Sequence, residues 1–174
     1  VEALRAAERR ARVRLDPIVA GQGTTEGLDV MRAYLRLILE ELGVLWDGRG
    51  PRLVERLRAL TRVERLWSEP DPDARAVLGE LRRRGLSVGV ISNSDGTAEQ
   101  SLRDAGLLDA VDFVLDSHLV GVEKPDPRIF RLALGRAAVT PAEAAFVGDL
   151  YSIDVLGARR AGMIGILMDP IGAW

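Results

Sequence analysis

The spacing of hydrophobic residues changes character about two-fifths of the way along the chain. In the first part, apolar side chains recur at helical intervals and no convincing strand precedes residue 86. Thr25 suits the N-cap of one predicted helix, and Gly43 suits its end. The apolar positions of this helix repeat every four residues: Val30, Tyr34, Ile38 and Leu42. A second amphipathic stretch is predicted over residues 51–60.

Beyond a polar linker at residues 68–72, short apolar runs alternate with amphipathic stretches. The predicted strands are 86–91, 111–115, 145–147 and 164–168. The predicted helices are 72–84, 97–105, 127–137 and 153–161, with a capping box of Thr140 and Glu143 before the third strand. The first of these helices is expected to bury one apolar face, made of Ala74, Val77, Leu78 and Leu81. Alternation of this kind predicts an α/β fold with a doubly wound parallel sheet. Ligands of such sheets bind beyond the carboxyl ends of the strands.

Composition narrows the class of protein. With 47% hydrophobic and 29% charged residues, the chain is expected to be globular. A net charge of −2 argues against a nucleic-acid partner, and the absence of cysteine excludes disulfides and thiolate metal sites. The sequence contains no apolar run of membrane-spanning length and no signal-peptide pattern in residues 1–14. A cytoplasmic location is therefore the expectation.

Two residue types occur once each. Lys124 is the lone lysine among 24 basic residues, and Asn93 is the lone asparagine. A chain that otherwise uses arginine throughout suggests that a guanidinium would not serve at position 124, because lysine is a compact charge whereas arginine is a planar fork. Both residues therefore stand out as candidates for chemistry.

Polar groups follow three of the predicted strands. Ser92 and Asn93 end the first strand before a glycine turn and could hold a phosphate oxygen. Lys124 directly precedes Pro125 in a loop that Pro125 and Pro127 stiffen before a helix, and it could neutralise a phosphoryl group. Asp149 ends the third strand and Asp154 lies about one turn later, where carboxylates could bind Mg²⁺. Turn formation and helix capping are the alternative roles for these residues.

The order of these motifs resembles the haloacid dehalogenase superfamily. Ser92 matches its second motif, Lys124 in Lys-Pro-Asp-Pro its third, and Gly148-Asp149-x4-Asp154 its fourth. The resemblance covers residues 68–174. It implies a Rossmann-like α/β core there and, more weakly, a helical cap subdomain at residues 1–67.

The resemblance also implies roles. Ser92 and the backbone of Asn93 would bind the transferring phosphoryl group, and Lys124 would stabilise its charge. Asp149 would be a Mg²⁺ ligand, and Asp154 would position Lys124 or a metal-bound water. The implied reaction is hydrolysis of a small phosphate ester through an aspartyl-phosphate. The substrate and the oligomeric state are not predicted.

One family motif is missing. Residues 1–67 contain no Asp-x-Asp, the motif that supplies the nucleophile on the first, central strand of this family. We therefore expect that the sequence is truncated at its N-terminus and lacks this strand. Without it, strand edges would leave N–H and C=O groups unpaired at roughly 1–3 kcal/mol each, so the isolated chain is expected to fold poorly and to be inactive.

Two other functions fit parts of the pattern. A 2-haloacid dehalogenase of the same superfamily works without a metal, which the carboxylates Asp149 and Asp154 argue against. A catalytically dead relative with a binding or regulatory role would explain the missing Asp-x-Asp. A Mg²⁺ requirement for activity distinguishes the first alternative, and the coding sequence upstream of Val1 distinguishes the second.

Overall fold

A computed structural model of the protein describes residues 2–22, 28–44, 47–53, 55–56 and 69–174. The N-terminal part is helical, as predicted, and the remainder alternates between helices and strands. The helices are α1 (Glu2–Gln22), α2 (Leu28–Glu41), α3 (Ala74–Arg83), α4 (Ala98–Asp104), α5 (Ser117–Val120), α6 (Pro127–Ala137) and α7 (Leu156–Arg160). The strands are β1 (Gly89–Ser92), β2 (Phe113–Asp116), β3 (Ala145–Gly148) and β4 (Ile164–Leu167).

The four strands form two parallel pairs. β1 pairs with β2 so that Ser92 lies beside Asp116, and β3 pairs with β4 so that Gly148 lies beside Leu167. No described strand joins the two pairs. This arrangement is compatible with a further strand between β1 and β3, a position that suits the central first strand implied by the family resemblance. Parallel pairing connected through helices is the predicted α/β architecture.

α6 anchors the core that lies under both strand pairs. Its range agrees with the prediction, and its buried face carries Ile129, Phe130, Ala133 and Leu134. Phe130 meets Phe146 of β3 edge to face, with ring centroids 5.2 Å apart. This packing ties the loop that carries Lys124 to the strand that precedes Asp149, because the loop leads directly into α6.

α1 and α2 pack against each other and against the segment that follows β3. Their shared apolar cluster contains Leu15, Val19 and Leu37, and Ile153 from that segment joins it. Gly43 follows α2 with a φ of 73°, which fits its predicted role at the helix end. The predicted cap Thr25, half of the predicted helix 51–60 and the predicted boundary at residues 67–68 lie outside the described residues.

Three predictions of local structure need correction. The predicted burial of one face of α3 is wrong, since this helix buries none of its residues and Val77 is 53% exposed. α3 is held instead by ion pairs and hydrogen bonds from Arg75 and Arg82 to Asp109. The predicted helix 153–161 begins as a π-helical turn over Tyr151–Val155 and becomes α-helical at Leu156. The predicted strand 86–91 starts only at Gly89.

The capping box is confirmed. The carboxylate of Glu143 accepts a hydrogen bond from the Thr140 backbone N–H at 2.9 Å and closes a short 3₁₀ turn before β3. Among the described helices, none is both long enough and apolar enough to span a bilayer.

Candidate functional site

Lys124 and Asp154 form a buried ion pair where β3 ends. Lys124 Nζ donates to Asp154 Oδ1 at 2.8 Å, and the two side chains are 12% and 4% exposed. The ammonium also lies 5.2 Å from the centroid of the Phe146 ring, within reach of a cation–π contact. A cation so placed is fixed in position and partly desolvated, which strengthens its action on a neighbouring anion.

Asn93 holds the backbone of Lys124 with both ends of its side-chain amide. Asn93 Nδ2 donates to the Lys124 carbonyl at 2.9 Å, and the Lys124 N–H donates to Asn93 Oδ1 at 2.9 Å. This pair joins the end of β1 to the lysine loop. Only an amide offers a donor and an acceptor in this geometry, which accounts physically for asparagine at this position.

Asp149 extends from the end of β3 towards α1. Its carboxylate is 43% exposed, and its Oδ2 accepts from Arg12 Nη1 at 2.9 Å. The following residue, Leu150, donates its N–H to Asp154 Oδ2 at 3.0 Å. Asp149 therefore lies beside the Lys124–Asp154 pair and offers an accessible oxygen, whereas both oxygens of Asp154 already accept hydrogen bonds.

Gly148 brings β3 against Asp154. A Cβ built on Gly148 would lie 2.5 Å from the Cβ and from the Oδ2 of Asp154, far inside van der Waals contact. Glycine is therefore required for this close approach of β3 to Asp154.

Asp116, at the end of β2, organises the loop that follows Ser92. It is 3% exposed and accepts three backbone N–H groups: Gly96 and His118 at Oδ1, at 3.1 and 3.0 Å, and Ala98 at Oδ2, at 3.0 Å. One buried carboxylate thus orders both this loop and the first turn of α5.

A second contact strengthens the same loop. The Ser94 N–H donates to Ser117 Oγ at 3.0 Å, and the Ser117 hydroxyl donates to the Ser94 carbonyl at 3.1 Å. At the exposed side, the Thr97 hydroxyl donates to Asp95 at 2.7 Å and lowers the pKa of that carboxyl. The loop beside the predicted phosphate-binding residue Ser92 is therefore held on both sides before any ligand binds.

Replacing Asp116 by alanine should lower the free energy of unfolding by about 2 to 4 kcal/mol, because three N–H groups lose a charged acceptor. Chemical denaturation measures the change. Asp126→Ala is the matched control, since Asp126 caps α6 through a single backbone N–H, that of Arg128. The control should cost about 1 kcal/mol. Equal effects of the two changes would contradict the role given to Asp116.

The donor chemistry at this end of the sheet fits magnesium. Within the described residues, no group of three or more histidine, cysteine or acidic side chains is placed so that it could hold a metal ion by itself. Mg²⁺ is usually held by one or two protein carboxylates, with water and substrate phosphate completing its octahedron. Within the described part of the chain, the accessible carboxylate of Asp149 is the group that would hold such an ion.

The chain is similar to known proteins in sequence and in fold. The haloacid dehalogenase-like hydrolase family matches residues 2–162. The chain belongs to this family. Its α/β Rossmann-like fold is shared with the 2-haloacid dehalogenase of Pseudomonas syringae, at 30% identity and a TM-score of 0.56 over 96% of this chain and 70% of that one.

Two curated relatives are similar to this chain in sequence. A phosphoserine phosphatase of Thermus thermophilus is 39% identical over 155 residues, which cover 84% of this chain and 60% of the relative. The haloacid dehalogenase-like hydrolase domain-containing protein 3 of Mus musculus is 50% identical over 95 residues, covering 55% of this chain and 38% of the relative. The chain thus spans between 38% and 60% of the length of these relatives.

The structure brings together the loops that carry the five residues singled out in the sequence. Asn93 binds the Lys124 backbone, Lys124 binds Asp154, and Asp149 lies one residue from the Leu150 N–H that Asp154 accepts. Ser92 is half-buried and precedes Asn93 at the same end of β1.

Sequence reasoning missed two residues beside these loops. Asp116 carried a readable signal, an aspartate between a strand and a helix. Arg12 carried none, since it is one of several arginines in α1.

Proposed function

We propose that the protein is a Mg²⁺-dependent phosphohydrolase acting on a small phosphorylated metabolite. The observation that carries the proposal is the immobilised cation at the ends of the strands: Lys124 is held through its backbone by Asn93 and through its ammonium by Asp154. Phosphoryl transfer depends mainly on positioning and charge stabilisation, and a fixed, partly desolvated lysine supplies both.

Each residue takes a part in holding the phosphate ester. The Ser92 hydroxyl and the Asn93 backbone bind phosphoryl oxygens, and Lys124 neutralises the charge that develops on them. We assign Asp154 to positioning Lys124, because both of its oxygens accept hydrogen bonds from the chain itself. The remaining lone pairs of its carboxylate would accept from a metal-bound water, the second role that the family resemblance implies for Asp154.

Asp149 is the proposed Mg²⁺ ligand, since its carboxylate is the accessible one at this end of the sheet. A bound Mg²⁺ would supply Lewis-acid stabilisation of a phosphoryl oxygen. The similarity to the Thermus thermophilus phosphoserine phosphatase over 84% of this chain supports a phosphate ester as substrate.

The nucleophile is proposed to come from a strand outside these residues, seated between β1 and β3 and carrying Asp-x-Asp. Two observations support this position: the described strands form two separate pairs, and residues 1–67 contain no Asp-x-Asp. In this proposal residues 1–67 form the helical cap over the core of residues 68–174. Residues 1–174 by themselves would then lack activity, because activity would require that strand.

Hydrolysis of p-nitrophenyl phosphate by the full-length protein tests the function. Removing metal with a chelator should lower kcat/KM by roughly 10²- to 10³-fold, a loss of several kcal/mol of charge stabilisation, and added Mg²⁺ should restore it. Turnover that is unaffected by the chelator would contradict the metal requirement.

A dehalogenase is the second candidate, favoured by the 30% identity to the Pseudomonas syringae enzyme. Halide release from 2-chloropropionate without added metal would support it over the phosphatase. A protein that releases neither phosphate nor halide would instead be a binding or regulatory relative.

A further inference from the structure

One arginine of α1 is aimed at the site rather than at solvent. Arg12 Nη1 lies 2.9 Å from Asp149 Oδ2, and its side chain is 16% exposed. The neighbouring Arg10 and Arg14 are 56% and 47% exposed and pair with the acidic end of α2. Arg12 is thus a largely desolvated cation that contacts the proposed metal ligand.

The position of Arg12 does not depend on this ion pair alone. One turn further along α1, Asp16 is 7% exposed and accepts hydrogen bonds from the backbone N–H of Ser152, at 2.8 Å, and from its hydroxyl. Leu15 packs in the same apolar cluster as Ile153. Because these contacts fix α1 against the segment after β3, Arg12 would stay beside the site even if Asp149 bound another cation.

Other groups near Arg12 are already engaged. The Tyr34 hydroxyl donates to Glu8 Oε1 at 3.0 Å. Burial, with the charge of Glu8, raises the pKa of Tyr34 to about 12, and nearby Arg12 only partly offsets this increase. The phenol therefore stays neutral. Within the described residues, Asp149 is the carboxylate that forms an ion pair with Arg12.

Mg²⁺ and Arg12 would compete for this carboxylate. A divalent cation on Asp149 would neutralise the charge with which Arg12 pairs and would lie close to the guanidinium. This largely desolvated cation would then have only partial compensation from the carboxylate of Asp169, which is unfavourable. An anionic group of the substrate is the natural replacement, since a guanidinium binds carboxylate and phosphate equally well through its fork of N–H donors.

We propose that Arg12 exchanges Asp149 for a second anionic group, a carboxylate or a further phosphate, on the leaving-group side of the substrate. The inference rests on the proposed function, because it needs Asp149 to bind Mg²⁺. It makes the substrate a phosphate ester with two anionic groups. It also makes metal and anion binding cooperative. Mg²⁺ bound to Asp149 frees Arg12 for the anion, and the anion bound to Arg12 frees Asp149 for Mg²⁺.

Two binding measurements on the full-length protein test Arg12, and the expected changes have opposite signs. In Arg12→Gln, calorimetric titration with Mg²⁺ alone should show a dissociation constant lower by roughly five-fold or more, since the competing cation is gone. The inhibition constant of phosphoglycolate against p-nitrophenyl phosphate hydrolysis, with Mg²⁺ saturating, should rise by roughly ten-fold or more. Ethyl phosphate, which lacks the carboxylate, should bind to the variant as it does to the wild type.

Arg14→Gln is the matched control, because it removes a cation from the same helix without touching the site. Arg12→Lys keeps the charge and should fall between wild type and Arg12→Gln in both measurements. Equal weakening of Mg²⁺, phosphoglycolate and ethyl phosphate binding would mean that Arg12 only supports the fold, and would overturn the inference. Unchanged Mg²⁺ binding in Arg12→Gln would overturn this inference but not the proposed function. A wild type that binds no Mg²⁺ would overturn both.

Discussion

Replacing Lys124 by alanine should lower phosphatase kcat/KM of the full-length protein by roughly 10²- to 10³-fold, the loss expected when one fixed charge-stabilising group is removed. The same change should destabilise the fold. Asp154 is 4% exposed and would lose its cation, and breaking a buried pair in this way costs about 3 to 5 kcal/mol. Steady-state kinetics and chemical denaturation on the same preparations measure both effects.

A double variant separates the two consequences of losing Lys124. Lys124→Ala with Asp154→Asn removes the stranded charge, so it should recover part of the lost stability and none of the activity. Arg128→Ala is the control: Arg128 follows the same loop, but its ion pair with Asp126 is exposed, and neither activity nor stability should change measurably. Activity retained in Lys124→Ala would exclude the proposed charge-stabilising role.

The second large effect is expected at Gly148. Substitution by alanine would place a methyl group 2.5 Å from the Asp154 Cβ, so the carboxylate or the strand must move. Overpacking of this kind costs about 1 to 3 kcal/mol. Displacement of Asp154 also disturbs Lys124, and a small misplacement of a catalytic group can reduce the rate by roughly 10²-fold.

Gly79→Ala is the matched control for this change. Gly79 lies within α3, and a Cβ added there meets no atom within 4 Å. The control should leave activity unchanged and raise the free energy of unfolding by about 0.5 to 1 kcal/mol, because alanine restricts the unfolded chain more than glycine does. If Gly148→Ala were as stable and as active as Gly79→Ala, the close approach of β3 to Asp154 would contribute neither to stability nor to activity.

The strand-end motifs were predictable because their signal is local. A polar residue directly after a short apolar run, as in Gly148-Asp149, falls at the carboxyl end of a strand whatever the rest of the chain does. The range of α6 was equally readable, since Asp126 caps it, Pro127 opens it and its apolar residues have helical spacing. The exposure of α3 could not be predicted from the sequence. Periodicity shows that one face of a helix is apolar, but not whether another element covers that face.

The sequence alone singled out the candidate residues: a lone lysine, a lone asparagine, an aspartate at the end of a strand and a second aspartate about one turn later, in an order that resembles the family to which the chain belongs. The tertiary structure decided how they are used. In the folded chain the Asn93 amide is hydrogen-bonded to the Lys124 backbone, and both oxygens of Asp154 accept hydrogen bonds from other residues of the chain. Arg12 contacts Asp149, which lies 137 positions away in the sequence. Contacts between residues so far apart in the sequence depend on how helices pack against strands. The local pattern of residues cannot predict them, because these side chains come together only when the chain has folded.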